Sequence, residues 1–345
     1  MVRRVTSASI LRRLAVVGIG LLVALALVTA LGAGYESLAR HRILRENPPR
    51  GKMVDIGGRR IHLDCRGTGS PTVVFESGLD TYGSLSWSAV HDAVAQFTRA
   101  CAYDRAGIMW SDPSSGAGDA DTIAADLHQC LQAAQEHGPY VMIGHSMGGP
   151  YIMTFTRLYG SEVAGLVLVD ASHPDQAKVL QAAGHPPFKA RSVEGKLLGS
   201  LGWAGLTRIL WSADDDDADP KAPEQIRDVA PQFGPASLQA MTEEEDEMQR
   251  SLKEAGTFRA LGDRPLAVLT HGAPYTDAEL QMIHISKEQG PRLAAAWDYL
   301  QNDEATWSTQ STHQRVADAT HYIQFDRPDV VIAAIRDVTD RSGIK

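Results

Sequence analysis

The sequence predicts an α/β protein: a mostly parallel sheet with helices on both faces, preceded by a membrane-crossing helix. Three observations carry this. From residue 52 onward, short apolar runs alternate with amphipathic helical patterns, which is how strands buried on both faces read. The stretch Gly144-His145-Ser146-Met147-Gly148 stands where one such run meets a helix. An uncharged stretch from Leu14 to Tyr35, rich in Leu, Val, Ala and Gly, comes before all of it.

As a helix, the Leu14 to Tyr35 stretch would span about 33 Å, enough for a bilayer core of about 30 Å. A cleaved signal peptide is the rival reading, with Val28-Thr29-Ala30 as its cleavage site. The length of the run favours a retained anchor. Arg3, Arg4, Arg12 and Arg13 precede the span and Arg40, Arg42, Arg45, Arg50 and Lys52 follow it, so basic residues orient it only weakly. The expectation is a cytoplasmic tail and anchor over residues 1–38, a polar, Pro-containing linker over 39–51, and an extracytoplasmic domain after it. A secreted form is the alternative.

The domain opens with two strand-like runs, from Lys52 to Ile56 and from Arg60 to Cys65, around Gly57-Gly58, which predicts a hairpin. Further strands are expected at 71–76 and 98–104. A helix follows at 121–135, where Ile123, Leu127, Cys130, Leu131 and Ala134 recur at helical spacing. Next come the run Tyr140 to Ile143, a helix opening at Pro150, and a strand that ends at Asp170. Residues 52–174 form the first part of the core on this reading.

From 175 to 263 the alternation stops. Helical patches at 196–211, 222–233 and 235–254 replace it, and the acidic runs 214–217 and 243–247 read as solvated faces. The segment is expected to be a helical lid inserted between strands. Residues 264–345 then complete the core with a strand at 265–270, a last strand near 314–319, and a helix from about 326 that carries Val330, Val331, Ala334, Ile335 and Val338 on one face.

Apolar content of 43% and charged content of 22% describe a globular protein with a sizeable core. A net charge of −9, with no basic stripe in the soluble part, argues against a nucleic-acid partner. None of the three cysteines has metal-ligand spacing, and no metal or organic cofactor is implied.

The chemistry concentrates at Ser146. A serine between strand and helix needs a sharp, strained turn that lifts its hydroxyl above the sheet. Gly144 and Gly148 fit that turn because a Cβ at either position would clash.

Taken with the segment Tyr103-Asp104-Arg105-Ala106-Gly107 followed by Ser111-Asp112, and with His321-Tyr322-Ile323-Gln324 before Asp326-Arg327-Pro328, the chain resembles the α/β-hydrolase family over nearly all of residues 52–343. The resemblance implies an eight-stranded sheet of order 1-2-4-3-5-6-7-8 whose second strand is antiparallel. It implies Ser146 as nucleophile and His321, in the loop before the last helix, as its base. It implies oxyanion donors at the N–H groups of Met147 and Leu79. At Glu76-Ser77-Gly78 the chain departs from the usual His-Gly, leaving Glu76 either structural or in contact with substrate. Most relatives carry the acid after strand seven, where this chain reads Leu269-Thr270-His271-Gly272-Ala273-Pro274-Tyr275-Thr276-Asp277. Asp170, which ends strand six, is therefore favoured as the acid, with Asp277 as the alternative.

The implied strand order also sets Cys65, at the end of strand two, beside Cys101, at the start of strand four, as a possible disulfide; two buried thiols are the alternative. The activity implied is a serine hydrolase acting on a small acyl or ester substrate through an acyl-enzyme. A C–C bond hydrolase, an acyltransferase or a non-catalytic binding protein that kept the fold are the alternatives. Serine at the elbow disfavours haloalkane dehalogenase and epoxide hydrolase chemistry, which need Asp there.

Overall fold

A computed structural model describes residues 7–114, 116–188, 202–205, 207–208 and 221–343. Its centre is an eight-stranded sheet of β1 (Lys52–Asp55), β2 (Arg60–Arg66), β3 (Thr72–Glu76), β4 (Ala100–Tyr103), β5 (Tyr140–His145), β6 (Val163–Val169), β7 (Leu266–His271) and β8 (Ser311–Val316). The order across the sheet is β1-β2-β4-β3-β5-β6-β7-β8. β2 runs antiparallel to both β1 and β4, and the remaining pairs are parallel.

The continuous apolar runs are explained by burial on both faces. Val74, Met142, Leu166, Leu168 and Val268 point to one side, where they meet Leu127 and Leu131 of α3 (Ala120–Ala133) and Ile152 and Phe155 of α4 (Gly148–Tyr159). α2 (His91–Val94) lies on the other side, where Val73, Phe75, Val141, Ile143, Val167 and Val169 meet Trp87, Val94, and the Val331, Ile335 and Val338 stripe near the C-terminus. Each such fully buried side chain contributes roughly 1.5–3 kcal/mol. Alternation along a strand thus serves two helical layers at once.

Cys65 and Cys101 face each other in register across β2 and β4 and are joined by a disulfide. Cys130 is free, and burial pushes its thiol up to about 12.

Three segments differ from the sequence patterns. The first is α1 (Ser7–Glu46), which continues as helix through most of the stretch read as a linker. Its last turns pack on the domain: Ile43 is buried with Ile108, Met109, Trp110 and Phe233, Glu36 pairs with Arg208, and Arg40 donates to the Ser111 carbonyl. Its earlier apolar residues, Leu14 to Leu31, stand exposed.

The second is the inserted segment. After α5 (Gln176–Ala182), the two helices expected from Ala222 onward are one helix, α6 (Glu224–Ala255), with Pro231 and Pro235 inside it. Packing of Ile226, Ala230, Phe233 and Ala240 against Trp110 and its neighbours outweighs the loss of helical hydrogen bonds at the prolines. The acidic run 214–217 and most of the patch 196–211 lie outside the described residues, although Gly202–Ala204 forms a single 3₁₀ turn.

The third is β8, which lies earlier than the expected 314–319. It is an edge strand whose middle residues are exposed, so no apolar run marks it. Between β7 and β8 stand α7 (Asp277–Met282) and α8 (Gly290–Glu304). The chain closes with α9 (Ile323–Asp326) and α10 (Pro328–Arg341).

Candidate active site

Ser146 occupies the turn between β5 and α4 with φ +51°, the left-handed region that an L-residue enters only under constraint. The constraint comes from close packing. A Cβ on Gly144 would lie 2.6 Å from the Gly148 carbonyl oxygen, and one on Gly148 would strike the Glu76 carbonyl. The Ser146 N–H donates to the Val169 carbonyl at 3.2 Å, and the Ser146 carbonyl accepts from Ser172 N–H at 2.9 Å. The elbow is thereby tied to the end of β6, one residue before Asp170.

Asp170 is fully buried and also has a positive φ, +46°. Four donors converge on its carboxylate. His321 Nδ1 lies 2.6 Å and His271 Nδ1 2.7 Å from Oδ2; the His271 backbone N–H at 3.0 Å and Trp297 Nε1 at 2.9 Å bond Oδ1. Burial alone would raise this carboxyl, but the bonds from His271 and His321 outweigh it and hold Asp170 far below the usual carboxylate range. The group is an anion with a fixed orientation, and both imidazoles present a protonated Nδ1 to it.

The His321 side chain is 39% exposed. Its backbone is fixed from the elbow, because His145 Nε2 donates to the His321 carbonyl at 3.0 Å. Burial pushes His145 down to about 3, so it stays neutral and keeps that donor role. Among the described residues, no hydrogen bond joins the Ser146 hydroxyl to His321; such contacts are commonly loose before substrate binds. Asp277, the alternative acid, lies exposed at the start of α7 and pairs with Lys287 at 2.5 Å.

The loop that carries Leu79 presses on the elbow from the other side, since a Cβ on Gly78 would lie 3.1 Å from Ser146 Cβ. The Leu79 and Met147 side chains meet in a cluster with Leu252 and Met248 of α6. The loop's shape is set by Arg105, buried just after β4. Its Nη1 donates to the Ser77 carbonyl at 2.8 Å and its Nη2 to the Gly78 carbonyl at 2.6 Å. The same guanidinium pairs with Glu76 at 2.8 Å and with Glu244 of α6 at 2.8 Å. Glu76 also accepts from the Tyr103 hydroxyl at 2.5 Å. These contacts make Glu76 a buried structural partner of Arg105. Burial pushes its carboxyl up to about 7 despite the opposing pull of Arg105 and Tyr103.

Among the described residues, two groups bring three ligand-type side chains together: Cys65, Cys101 and Glu136, and Asp170, His271 and His321. In the first, both sulfurs are spent on the disulfide. In the second, both Nδ1 atoms already serve the carboxylate as hydrogen-bond donors.

Comparison with known proteins matches this architecture. The profile of the α/β hydrolase fold family fits residues 71–204, which include the elbow and Asp170. A thermophilic esterase from Thermogutta terrifontis superposes with TM-score 0.57 over 85% of this chain and 98% of its own, at 20% identity. The epoxide hydrolase CorEH does so with TM-score 0.57 over 84% and 97%, at 17% identity. The chain has the α/β-hydrolase fold. At such identities the solved structures show a shared fold. Among curated relatives, the uncharacterized YbdG of Bacillus subtilis is 25% identical over 45% of this chain, and the match spans 47% of YbdG's length.

Two side chains at Asp170 are not singled out by the sequence patterns. His271 stands at the end of β7, where most relatives place a carboxylate, so a search for acids passes over it. Trp297 comes from the middle of α8 and reaches Asp170 across a gap of 127 residues, which no local spacing reveals.

Proposed function

We propose that this α/β-hydrolase is a membrane-anchored serine hydrolase that cleaves carboxylic esters through an acyl-enzyme, with Ser146 as nucleophile, His321 as base and Asp170 as acid. The observation that carries this reading is the pairing of Asp170 Oδ2 with His321 Nδ1 at 2.6 Å, one residue beyond the strand end that anchors the Ser146 turn. A serine hydroxyl is a weak nucleophile until a base takes its proton. As Ser146 Oγ bonds to the acyl carbon, its proton passes to His321 Nε2, and the resulting imidazolium is stabilised by the Asp170 anion. The N–H groups of Met147 and Leu79 are the donors for the oxyanion. The proton then moves from His321 to the leaving alkoxide. In the second half, water gives a proton to His321, attacks the acyl carbon and releases the acid, and Ser146 regains its proton.

Residues 52–174 and 264–345 supply the catalytic core on this reading, and residues 175–263 the lid. Anchoring is supported by an N-terminal helix long and apolar enough to cross a membrane, with its apolar residues exposed. The domain is placed outside the cytoplasm, in keeping with the Cys65–Cys101 disulfide.

The test is labelling with a fluorophosphonate, followed by turnover of short p-nitrophenyl esters by wild type and Ser146→Ala. Labelling and turnover are expected in the wild type and absent in the variant. Folded protein that takes no label overturns the serine-hydrolase reading. Label without ester turnover moves the assignment to a C–C bond hydrolase or an acyltransferase.

A further inference from the structure

Asp170 holds two imidazoles where a Ser-His-Asp arrangement needs one. His271 and His321 both place Nδ1 within 2.7 Å of the same oxygen, Oδ2, so they share one unit of negative charge. His321 is the ring whose protonation the proposed mechanism uses. His271 has no part in that mechanism, yet it is bound to the carboxylate twice, by its ring and by its backbone N–H.

We propose that His271 is a second proton carrier on the acid, a positioning residue whose charge decides how much of the Asp170 anion is available to His321. While His271 is neutral, Asp170 faces His321 with its full charge and stabilises the imidazolium formed during catalysis. When His271 takes a proton, its own positive charge offsets Asp170, and a second imidazolium beside it is disfavoured. The two rings are thus coupled through one carboxylate oxygen. The proposal rests on the serine-hydrolase reading for its effect on rate, although the titration itself does not.

The surroundings of His271 allow it to exchange protons without passing the substrate. It lines a cavity of about 450 Å³ on the β7–β8 side of the acid. Asp298 of α8 and Arg315 of β8 face that cavity and pair with each other at 3.2 Å; Tyr275, Asp277 and Lys287 line it from the α7 region. On the inner side stand Asp170, Trp297 and His321. Burial pushes His271 down, but the Asp170 bond and the charges of Asp170 and Asp298 outweigh burial and the opposing Arg315, so its net shift is upward. A raised histidine is charged through the weakly acidic range and loses its proton as pH rises past its ordinary value.

Two measurements on the full chain in detergent test this. In Ser146→Ala, which needs no turnover, imidazole NMR with ¹⁵N-histidine follows the rings, and His271→Gln in the same background identifies the His271 signal. A His271 midpoint above the ordinary histidine value is expected; a ring that stays neutral from pH 8 down to 5 overturns the proposal, whatever the substrate. With an ester substrate, one proton on His271 is enough to weaken the support Asp170 gives His321, so the acid limb of kcat/KM in wild type is expected to begin at a higher pH than in His271→Gln. A purely structural His271 would lower activity equally at every pH and leave the limb in place. Asp298→Asn, outside the reaction machinery, should keep activity above pH 8 and move the limb to lower pH; an unmoved limb counts against the proposal.

Discussion

Two buried charges flank the nucleophile elbow, and they are held in opposite ways. Asp170, beyond β6, is an anion ringed by N–H donors, two of them on imidazoles that can change charge. Arg105, beyond β4, is a cation ringed by acceptors: two carboxylates, two backbone carbonyls and the Ser77 hydroxyl. The first cage is built so that its partners exchange protons. The second is built so that nothing moves, because it fixes the loop bearing one proposed oxyanion donor and ties it to α6. The difference teaches where adaptability is placed on the proposed mechanism: on the side assigned to proton transfer and not on the side assigned to present rigid dipoles.

The sharpest way to break the comparison is to remove the Asp170 charge. Asp170→Asn is expected to lower kcat by about 10⁴-fold, since the carboxylate sets the tautomer of its histidine and stabilises the imidazolium. Asp277→Asn, which loses only an exposed pair with Lys287, should leave kcat near the wild-type value. Measuring both variants on one ester decides between the two acids, and near-normal turnover by Asp170→Asn would remove it from the proposed triad.

Arg105→Met tests the rigid cage. It leaves Glu76 and Glu244 buried without their cation, and breaking a buried pair in this way costs about 3–5 kcal/mol. The loss should depend on pH. Without Arg105 the folded-state value of the Glu76 carboxyl rises further above its unfolded one, so the fold binds more protons than the unfolded chain and stability declines as pH rises. Denaturant melts should therefore show a larger deficit at pH 8 than at pH 5. An equal deficit at both would mean the carboxylates find other partners.

The contrast between the cages also explains what the sequence could reveal. The elbow is local: Gly144, Ser146 and Gly148 lie within one turn, and their strand and helix flank them directly. The alternation of apolar runs is equally local and marks the strands, whereas the sheet order and the Cys65–Cys101 register agree with what the family resemblance, not the alternation, implies. The Asp170 cage joins β6, β7, α8 and the loop after β8, so only its Asp170 and His321 members were visible, through chain order. β8 was displaced in the sequence reading because an edge strand exposing His313, Gln314 and Arg315 carries no apolar signature. The sequence patterns divide the α6 helix before Pro235, because its continuity depends on partners such as Trp110, far away in the chain.

The smallest predicted effect separates a shared cage from a single critical contact. Trp297→Phe keeps an aromatic ring and removes one of four donors to Asp170, while the His271 N–H still bonds the same oxygen, Oδ1. Losing one hydrogen bond to a charged group is worth about 1.5 kcal/mol, or roughly tenfold in kcat/KM if all of it reaches the transition state. A tenfold loss, or less, fits an anion whose orientation is over-determined by its neighbours. A loss approaching that of Asp170→Asn would instead mean that the indole alone aims the carboxylate at His321, and the Asp170 cage would then be as intolerant of change as the one around Arg105.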